Sequence, residues 1–540
     1  MKAFLMYRDR DFEAPPASRT NERRSIGNDA AVPRANSRLP ANAAELTQDL
    51  ELETLFSAMS GGDSFLLEVA KSAVLTSLEE PQAILYRQNI LHDCLDHPAV
   101  IREMYGVALE AIERERTVWG WMSVRYPEGT VHRAIEVLGI FVSLLKRLRH
   151  IAEDQRARFH SEGFQNLFEM LVRELNDDYI RTVEEHLDRL AFREGILMSA
   201  ELGQGLKGVN NVLRKPWEVR QSWLQRVQVW LEQVKSRNGS PYVYEIADRD
   251  EGGFRALSEL RSQGIGHVAA ALAQSADHIL SFFNMLRLEL GFYIACLNLH
   301  EQMARRHLPT RLPELVNLSS PALSTHGLYD ICLALTTDER VVANDVRGDG
   351  KALVVITGAN RGGKSTFLRS LGLAQVMMQC GMFVPAESFR ATVARGIFTH
   401  FKREEDTTMQ SGKLDEELRR MSVMVDQITP RSLVLLNESF ASTNEREGSE
   451  IARQIVRALL DSGVRVYYVT HLFDLAQSFY SPQRSDTLFL RAERLPDGHR
   501  TFRLIEGEPL PTSYGEDLYA RIFKAASGES VPQPVKPWSQ

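Results

Sequence analysis

The chain has 540 residues, 44% of them hydrophobic and 25% charged, with a formal net charge of −7. That length accommodates roughly two to four domains with sizeable cores, and the composition is that of an ordinary globular protein. The acidic balance excludes a polycation, so nucleic acid could be held only through a local basic patch.

In chain order, MKAFLMYRDRDFE opens with an apolar run too short for a signal peptide, and Met1 to Arg8 are expected to dock as an extended piece. Residues 1–41 otherwise read as a polar tail rich in Pro, Ser, Asn and Arg. Residues 42–308 carry a helical period, as in FLLEVAKSAVLTSL and AVIREMYGVALEAIERER. GILMSAELGQGLKGVNNVLRKP, with Gly203, Gly205 and Gly208, reads as strand or loop. QSWLQRVQVWLEQVKS returns to helix and YVYEIADRDEGGF looks extended. HVAAALAQSADHILSFFNMLRLELGFYIACLNLHEQMARRH then predicts one long helix. From 309 to 527 short apolar runs alternate with helices. KALVVITG, SLVLLNES and VRVYYVTH read as buried strands of a mostly parallel sheet covered on both faces. Residues 528–540 form a second polar tail. Cys94, Cys296, Cys332 and Cys380 show no CxxC spacing, which excludes a zinc site and a disulfide framework and fits a reducing compartment. No run reaches membrane-spanning length, so the expectation is a cytoplasmic protein without a membrane partner.

ITGANRGGKST, Ile356 to Thr366, contains Gly358, Gly363, Lys364 and Ser365 in the spacing G-x-x-x-x-G-K-[ST]. Glycines let backbone N–H groups turn inward around phosphates. The loop opens a helix whose N-terminus is partly positive. Lysine reaches the β- and γ-phosphates, and the serine hydroxyl is a ligand for Mg²⁺. An apolar strand before and a helix after complete the pattern, and the implied ligands are ATP and Mg²⁺. LVLLNE ends a second strand with Asn437 and Glu438, where P-loop ATPases carry an acidic pair. Glu438 is the candidate general base. Asn437 keeps a carbonyl oxygen for a water-mediated Mg²⁺ contact but supplies no charge. His471 closes the strand YYVTH, where it could reach the γ-phosphate.

Together these stretches resemble the ATPase domain of the MutS family, the DNA mismatch-repair ATPases. TGANRGGKST is similar to the family's TGPNMGGKST, with Ala359 for Pro and Arg361 for Met. GMFVPAE, GIFTHF, LVLLNESFASTNEREG, YVTHLFDL and Ser513-Tyr514-Gly515 follow in the family's order. DLELETLF and ILYRQNILHDCL look like the start of its helical core. The resemblance implies an all-helical core and lever followed by an ABC-type P-loop ATPase domain with a mostly parallel sheet, with a reduced clamp around 217–260. It implies that Gly358, Ala359, Asn360, Arg361, Gly362, Gly363, Lys364, Ser365 and Thr366 hold the nucleotide. Ser365 and Asn437 would hold the metal, and Glu438, His471 and Lys364 would carry catalysis.

Departures bear on function. The family's mismatch reader is an N-terminal domain, yet only the polar tail precedes the helical core here, so mismatch wedging is not expected. Ser411-Gly412-Lys413-Leu414-Asp415 stands where the family has S-G-R-S-T, and Val341 stands where an aromatic would stack on adenine. Lys146, Arg147, Arg149 and His150 cluster on one helical stretch, and Arg220, Arg226, Lys235 and Arg237 border another. A charged, solvated face is the default for either cluster. The resemblance implies an ATPase that binds double-stranded or branched DNA and forms a homodimer through its ATPase domains. The alternative is a nucleotide-gated scaffold with weak or no turnover that binds a protein partner, motivated by Asn437 and the altered loop.

Overall fold

The computed structural model describes residues 1–13, 39–118, 127–192, 195–204, 208–214, 251–316, 321–403, 412–482 and 484–510. Helices α1 (Ala43–Asp49), α2 (Leu52–Ser60), α3 (Ser64–Leu75), α4 (Pro81–Asp96), α5 (Pro98–Thr117), α6 (Pro127–Gln155), α7 (Glu162–Glu174) and α8 (Asp177–Leu190) come first. Their ends are chemically marked. The Asp63 carboxylate accepts the N–H groups of Phe65 and Leu66 at the start of α3, and Asn176 accepts that of Tyr179 at the start of α8. The glycine-punctuated stretch forms an antiparallel hairpin, β1 (Met198–Leu202) with β2 (Gly208–Leu213), so the region ahead of residue 308 is not wholly helical.

Helix α9 (Glu251–Arg305) has 55 residues. It takes in Gly252 and Gly253, which were expected to be extended. They stand in its first turn, outside the helix interior where a glycine costs about 1 kcal/mol, and elongation of the long helix that follows carries them. The expectation that no segment could cross a membrane is also corrected. Gly264–Arg305 is long and apolar enough by length and composition, with mean hydropathy 1.4 over its best window. That window tolerates isolated charges, which the search for an unbroken apolar run did not. However, 61% of it is buried within the protein, as in the core helix of a globular fold.

The chain folds as two compact units. One comprises Met1–Ala3, Arg102–Phe159 and Gln165–Arg287; the other comprises Phe4–Ile101, His160–Phe164 and Leu288–Gln540. By spatial packing, α1 to α4 and the end of α9 belong to the same unit as the phosphate loop. In the first unit Phe141 of α6 packs on Phe283 of α9, ring centroids 5.5 Å apart. The basic cluster on α6 is matched by carboxylates. Arg147 pairs with Glu103 and Glu110, Arg149 with Glu153 and Asp177, Lys146 with Glu184, and His150 with Asp154. The second cluster, Arg220 to Arg237, lies outside the described residues.

In the second unit the N-terminal segment docks, with Leu5, Met6 and Phe12 buried. Phe4 is left-handed at φ 52°, so the piece is not extended throughout. Glu289 of α9 accepts the N–H groups of Leu5 and Met6, the Tyr86 hydroxyl donates to Phe4 O at 2.7 Å, and Arg87 Nε donates to Met6 O at 2.8 Å. Burial pushes the Glu289 carboxyl up to about 7, against the opposing pull of those backbone donors.

The remaining elements are β3 (Glu314–Val316), β4 (Leu323–Leu328), α10 (Ile331–Thr336), β5 (Asn344–Arg347), β6 (Leu353–Gly358), α11 (Lys364–Gln379), β7 (Ser388–Thr392), β8 (Ile397–Phe401), α12 (Lys413–Val425), β9 (Leu433–Asn437), α13 (Glu445–Asp461), β10 (Arg465–Val469), α14 (Phe473–Tyr480), β11 (Thr487–Arg494) and β12 (Arg500–Glu506). Six strands form one sheet in the order β12-β11-β6-β10-β9-β8, parallel except for β12. The three runs expected as buried strands are β6, β9 and β10. Leu433 to Leu436 are fully buried, each contributing about 1.5–3 kcal/mol by leaving water. A second sheet, β3-β7-β4-β5, is largely antiparallel and was not expected. Its strands have six residues or fewer, too short to show a clear alternation.

Candidate nucleotide site

Strands β6, β10 and β9 run side by side and in parallel, so their C-terminal ends bring three sequence-distant segments to one edge of the sheet. Ligands of open α/β sheets bind at such an edge. From β6 the chain enters the loop Gly358 to Gly363, and α11 begins at Lys364. Gly358 has φ 111° and a Cβ there would lie 2.8 Å from Ala492 N of β11, so the position requires glycine. Gly363 caps α11 at φ 86°. Ala359 and Gly362 are buried, Asn360 and Arg361 are exposed, and Thr366 is half-buried.

The Lys364 side chain is buried beneath the loop, and its ammonium donates to the carbonyl oxygens of Gly358 and Ala359, each at 3.0 Å. Burial holds its pKa below the ordinary value, while the nearby Glu438 carboxylate pushes it back up and Arg500 lowers it. The Ser365 hydroxyl donates to Asn437 Oδ1 at 2.9 Å, which joins the start of α11 to the end of β9. His471, just past β10, places Nδ1 3.9 Å from Glu438 Oε2. The structure thus brings together Lys364, Ser365, Asn437, Glu438 and His471. Two neutral oxygens at the sheet edge suit a hard cation that takes the rest of its coordination from water and phosphate, as Mg²⁺ does.

Glu438 is left-handed at φ 53° and Phe440 at φ 64°. Neither is glycine, and such conformations cost on the order of 1–3 kcal/mol each unless their surroundings over-determine them. Here they do. The buried Glu417 of α12 accepts Phe440 N–H and the Ser442 hydroxyl, both at 2.7 Å. Tyr468 of β10 donates to Ser439 O at 2.6 Å. His400 of β8 stacks on Phe440, with Nδ1 2.8 Å from Ser439 Oγ and Nε2 3.1 Å from Glu417 O. Burial pulls His400 down to about 4, so the ring is neutral. Because a carbonyl only accepts, Nε2 carries the proton; the Ser439 hydroxyl, with one proton to give, lies 2.8 Å from Nδ1 and 2.7 Å from His400 O, its acceptor. Neither Glu417 nor His400 was singled out from sequence, since no local pattern marks a residue that acts on a turn far along the chain. Phe502 of β12, also left-handed and half-exposed, was missed for the same reason. Its Cβ and carbonyl oxygen lie 3.5 Å from where a Cβ on Gly363 would sit.

Other expected residues lie apart. Val341 is in the coil before β5. Asp415 is paired with Arg419 one turn along α12, so its charge is matched within its own helix. Ser411 and Ser513-Tyr514-Gly515 fall outside the described residues.

Comparison with known families gives two matches in chain order. The model described as MutS2 N-terminal domain matches residues 79–306, and the one described as MutS domain V matches residues 354–526. The chain belongs to the MutS family. The domain V match begins inside β6 and contains the phosphate loop, the Asn437–Glu438 pair, His471 and all strands from β7 to β12. Among MutS relatives, the DNA mismatch repair protein MutS of Thermotoga neapolitana is 32% identical over 232 residues, covering 41% of this chain and 29% of that protein. MutS protein homolog 4 of Mus musculus is 26% identical over 216 residues, covering 39% of this chain and 22% of that protein. The chain therefore aligns with less than a third of the length of either relative.

Proposed function

We propose that this MutS-family chain binds ATP with Mg²⁺ at the Gly358–Thr366 loop, hydrolyses it, and couples the cycle to binding of double-stranded or branched DNA without a mismatch wedge. The observation that carries this reading is the convergence of Lys364, the Ser365–Asn437 pair and the Glu438–His471 pair at the ends of three adjacent parallel strands. The inward-turned loop would wrap the phosphates, with Lys364 exchanging its two carbonyl partners for phosphate oxygens. Ser365 and Asn437 would hold Mg²⁺, which neutralises charge developing on the phosphates. Glu438 would orient the attacking water, and His471 would reach the γ-phosphate.

DNA binding rests on the family relationship, since the described basic cluster on α6 is spent on ion pairs. Pairing of two ATPase domains rests on the family relationship as well. The second reading, a nucleotide-gated scaffold that binds a protein partner, is favoured by one observation: the strand-end partner of Ser365 is a neutral amide, not a carboxylate.

Phosphate release from ATP, with and without branched DNA, separates the two. The motor reading expects turnover stimulated by DNA and lost in Glu438→Gln and Lys364→Ala. The scaffold reading expects ATP binding with no turnover and no response to DNA.

A further inference from the structure

The turn after β9 is held in place by a helix that belongs to another part of the site. Helix α12 is capped by Gly412 and begins at Lys413. One turn further on, Glu417 reaches back to the strand ends. Its two carboxylate oxygens take separate partners on the turn, Phe440 N–H and the Ser442 hydroxyl. Its backbone oxygen takes the His400 ring N–H, and that ring meets Ser439 on its other side. Glu417 therefore holds Phe440 and Ser442 directly and reaches Ser439 through the His400 ring, all within four residues of Glu438. Further contacts restrain the same turn. Ser439 O is held by Tyr468, Glu438 N–H is bonded to Val469 O at 2.8 Å, and a Cβ on Gly448 would come within 2.4 Å of Phe440 O.

We propose that Glu417 is a positioning residue that ties α12 to the turn bearing Glu438, so that whatever engages the start of α12 sets the orientation of the water-orienting carboxylate. This rests on the assignment of Glu438 made above. It adds a control element: contact at the Gly412–Lys413 end is converted into hydrolytic competence at a strand end in the same chain. Bound nucleotide need not change for the switch to operate, because Glu417 touches neither the loop nor Lys364.

Two measurements test it. In steady-state phosphate release, Glu417→Gln lowers kcat about tenfold while nucleotide Kd stays within about twofold. Ser442→Ala lowers kcat by about threefold, and Ser442→Thr, which keeps the hydroxyl, restores it. Unchanged kcat in both Glu417→Gln and Ser442→Ala overturns the proposal, as does loss that appears equally in Kd. Wild-type protein that binds ATP without releasing phosphate defeats the hydrolysis reading instead. Amide hydrogen exchange without nucleotide then still decides the coupling. Ser442→Ala, on the turn, is expected to raise exchange across residues 413–418 of α12 as well as across 439–443, whereas a change confined to 439–443 overturns it.

Discussion

The phosphate loop and the turn after β9 stand at the ends of strands that flank β10, yet they are held by opposite means. The loop is self-contained: its shape comes from glycines at 358 and 363, a lysine folded beneath it and the helix it opens. The turn borrows its shape. Two of its non-glycine residues are left-handed, and side chains from β8, α12 and β10 keep them so. A self-contained site takes its shape chiefly from its own segment. A borrowed one can be adjusted from a distance, and the residue at stake here is the candidate base.

That contrast can be broken or sharpened experimentally, beginning with the largest effect. Glu438→Gln is expected to slow hydrolysis by about 10²–10⁴-fold, the usual span for a lost general base, with ATP affinity nearly intact. Lys364→Ala should instead abolish binding, measured by fluorescent nucleotide titration. If the two variants behaved alike, loop and turn would not be separate devices.

A second borrowed arrangement, the docking of residues 4–12 on Glu289, predicts a pH dependence. Burial raises this carboxyl from 4.5 to about 7 in the folded protein, so the folded state holds the proton more tightly than the unfolded chain. Its contribution is fully present below about pH 4.5 and is lost as pH rises toward 7, by on the order of 3 kcal/mol at about 1.4 kcal/mol per pH unit. Urea unfolding between pH 5 and 8 should show this decline in wild type and its loss in Glu289→Gln.

Gly358→Ala tests the self-contained side. A Cβ would meet Ala492 N at 2.8 Å at a φ of 111°, so stability should fall by about 1–3 kcal/mol in thermal unfolding, with nucleotide binding weakened alongside. The smallest effect is expected from Lys146→Ala with Arg149→Ala. Exposed ion pairs contribute about 0–1 kcal/mol each, and with the cations already matched by carboxylates the pair should change DNA affinity by less than about twofold. A large loss of DNA binding would restore that cluster as a contact surface.

The same division explains what could be read from residues alone. The strands β6, β9 and β10, the loop and Glu438 were legible because each is written in a few consecutive residues. The sheet edge then gathers them without further information. Glu417 and His400 were not legible, since an acidic residue on an amphipathic helix and a histidine in a strand look ordinary until the fold sets them against residue 440. For the α6 cluster the sequence allowed only a default, a charged and solvated face. LLKRLRH shows its charges, but the matching Glu103, Glu110, Asp177 and Glu184 lie far along the chain. The extended reading of EGGF failed because two glycines outweighed the long helix into which they feed. The four-stranded sheet escaped because its strands are too short to carry a period.

The most direct test of the central claim is single-turnover ATP hydrolysis by wild type and Glu438→Gln, with Mg²⁺ and with nucleotide binding measured on the same samples. A working site predicts phosphate release by wild type, and tight binding without release by the variant. Equal release by both would contradict the assignment of Glu438, and tight binding without release by either would contradict hydrolysis itself and leave Asn437 as the residue to explain.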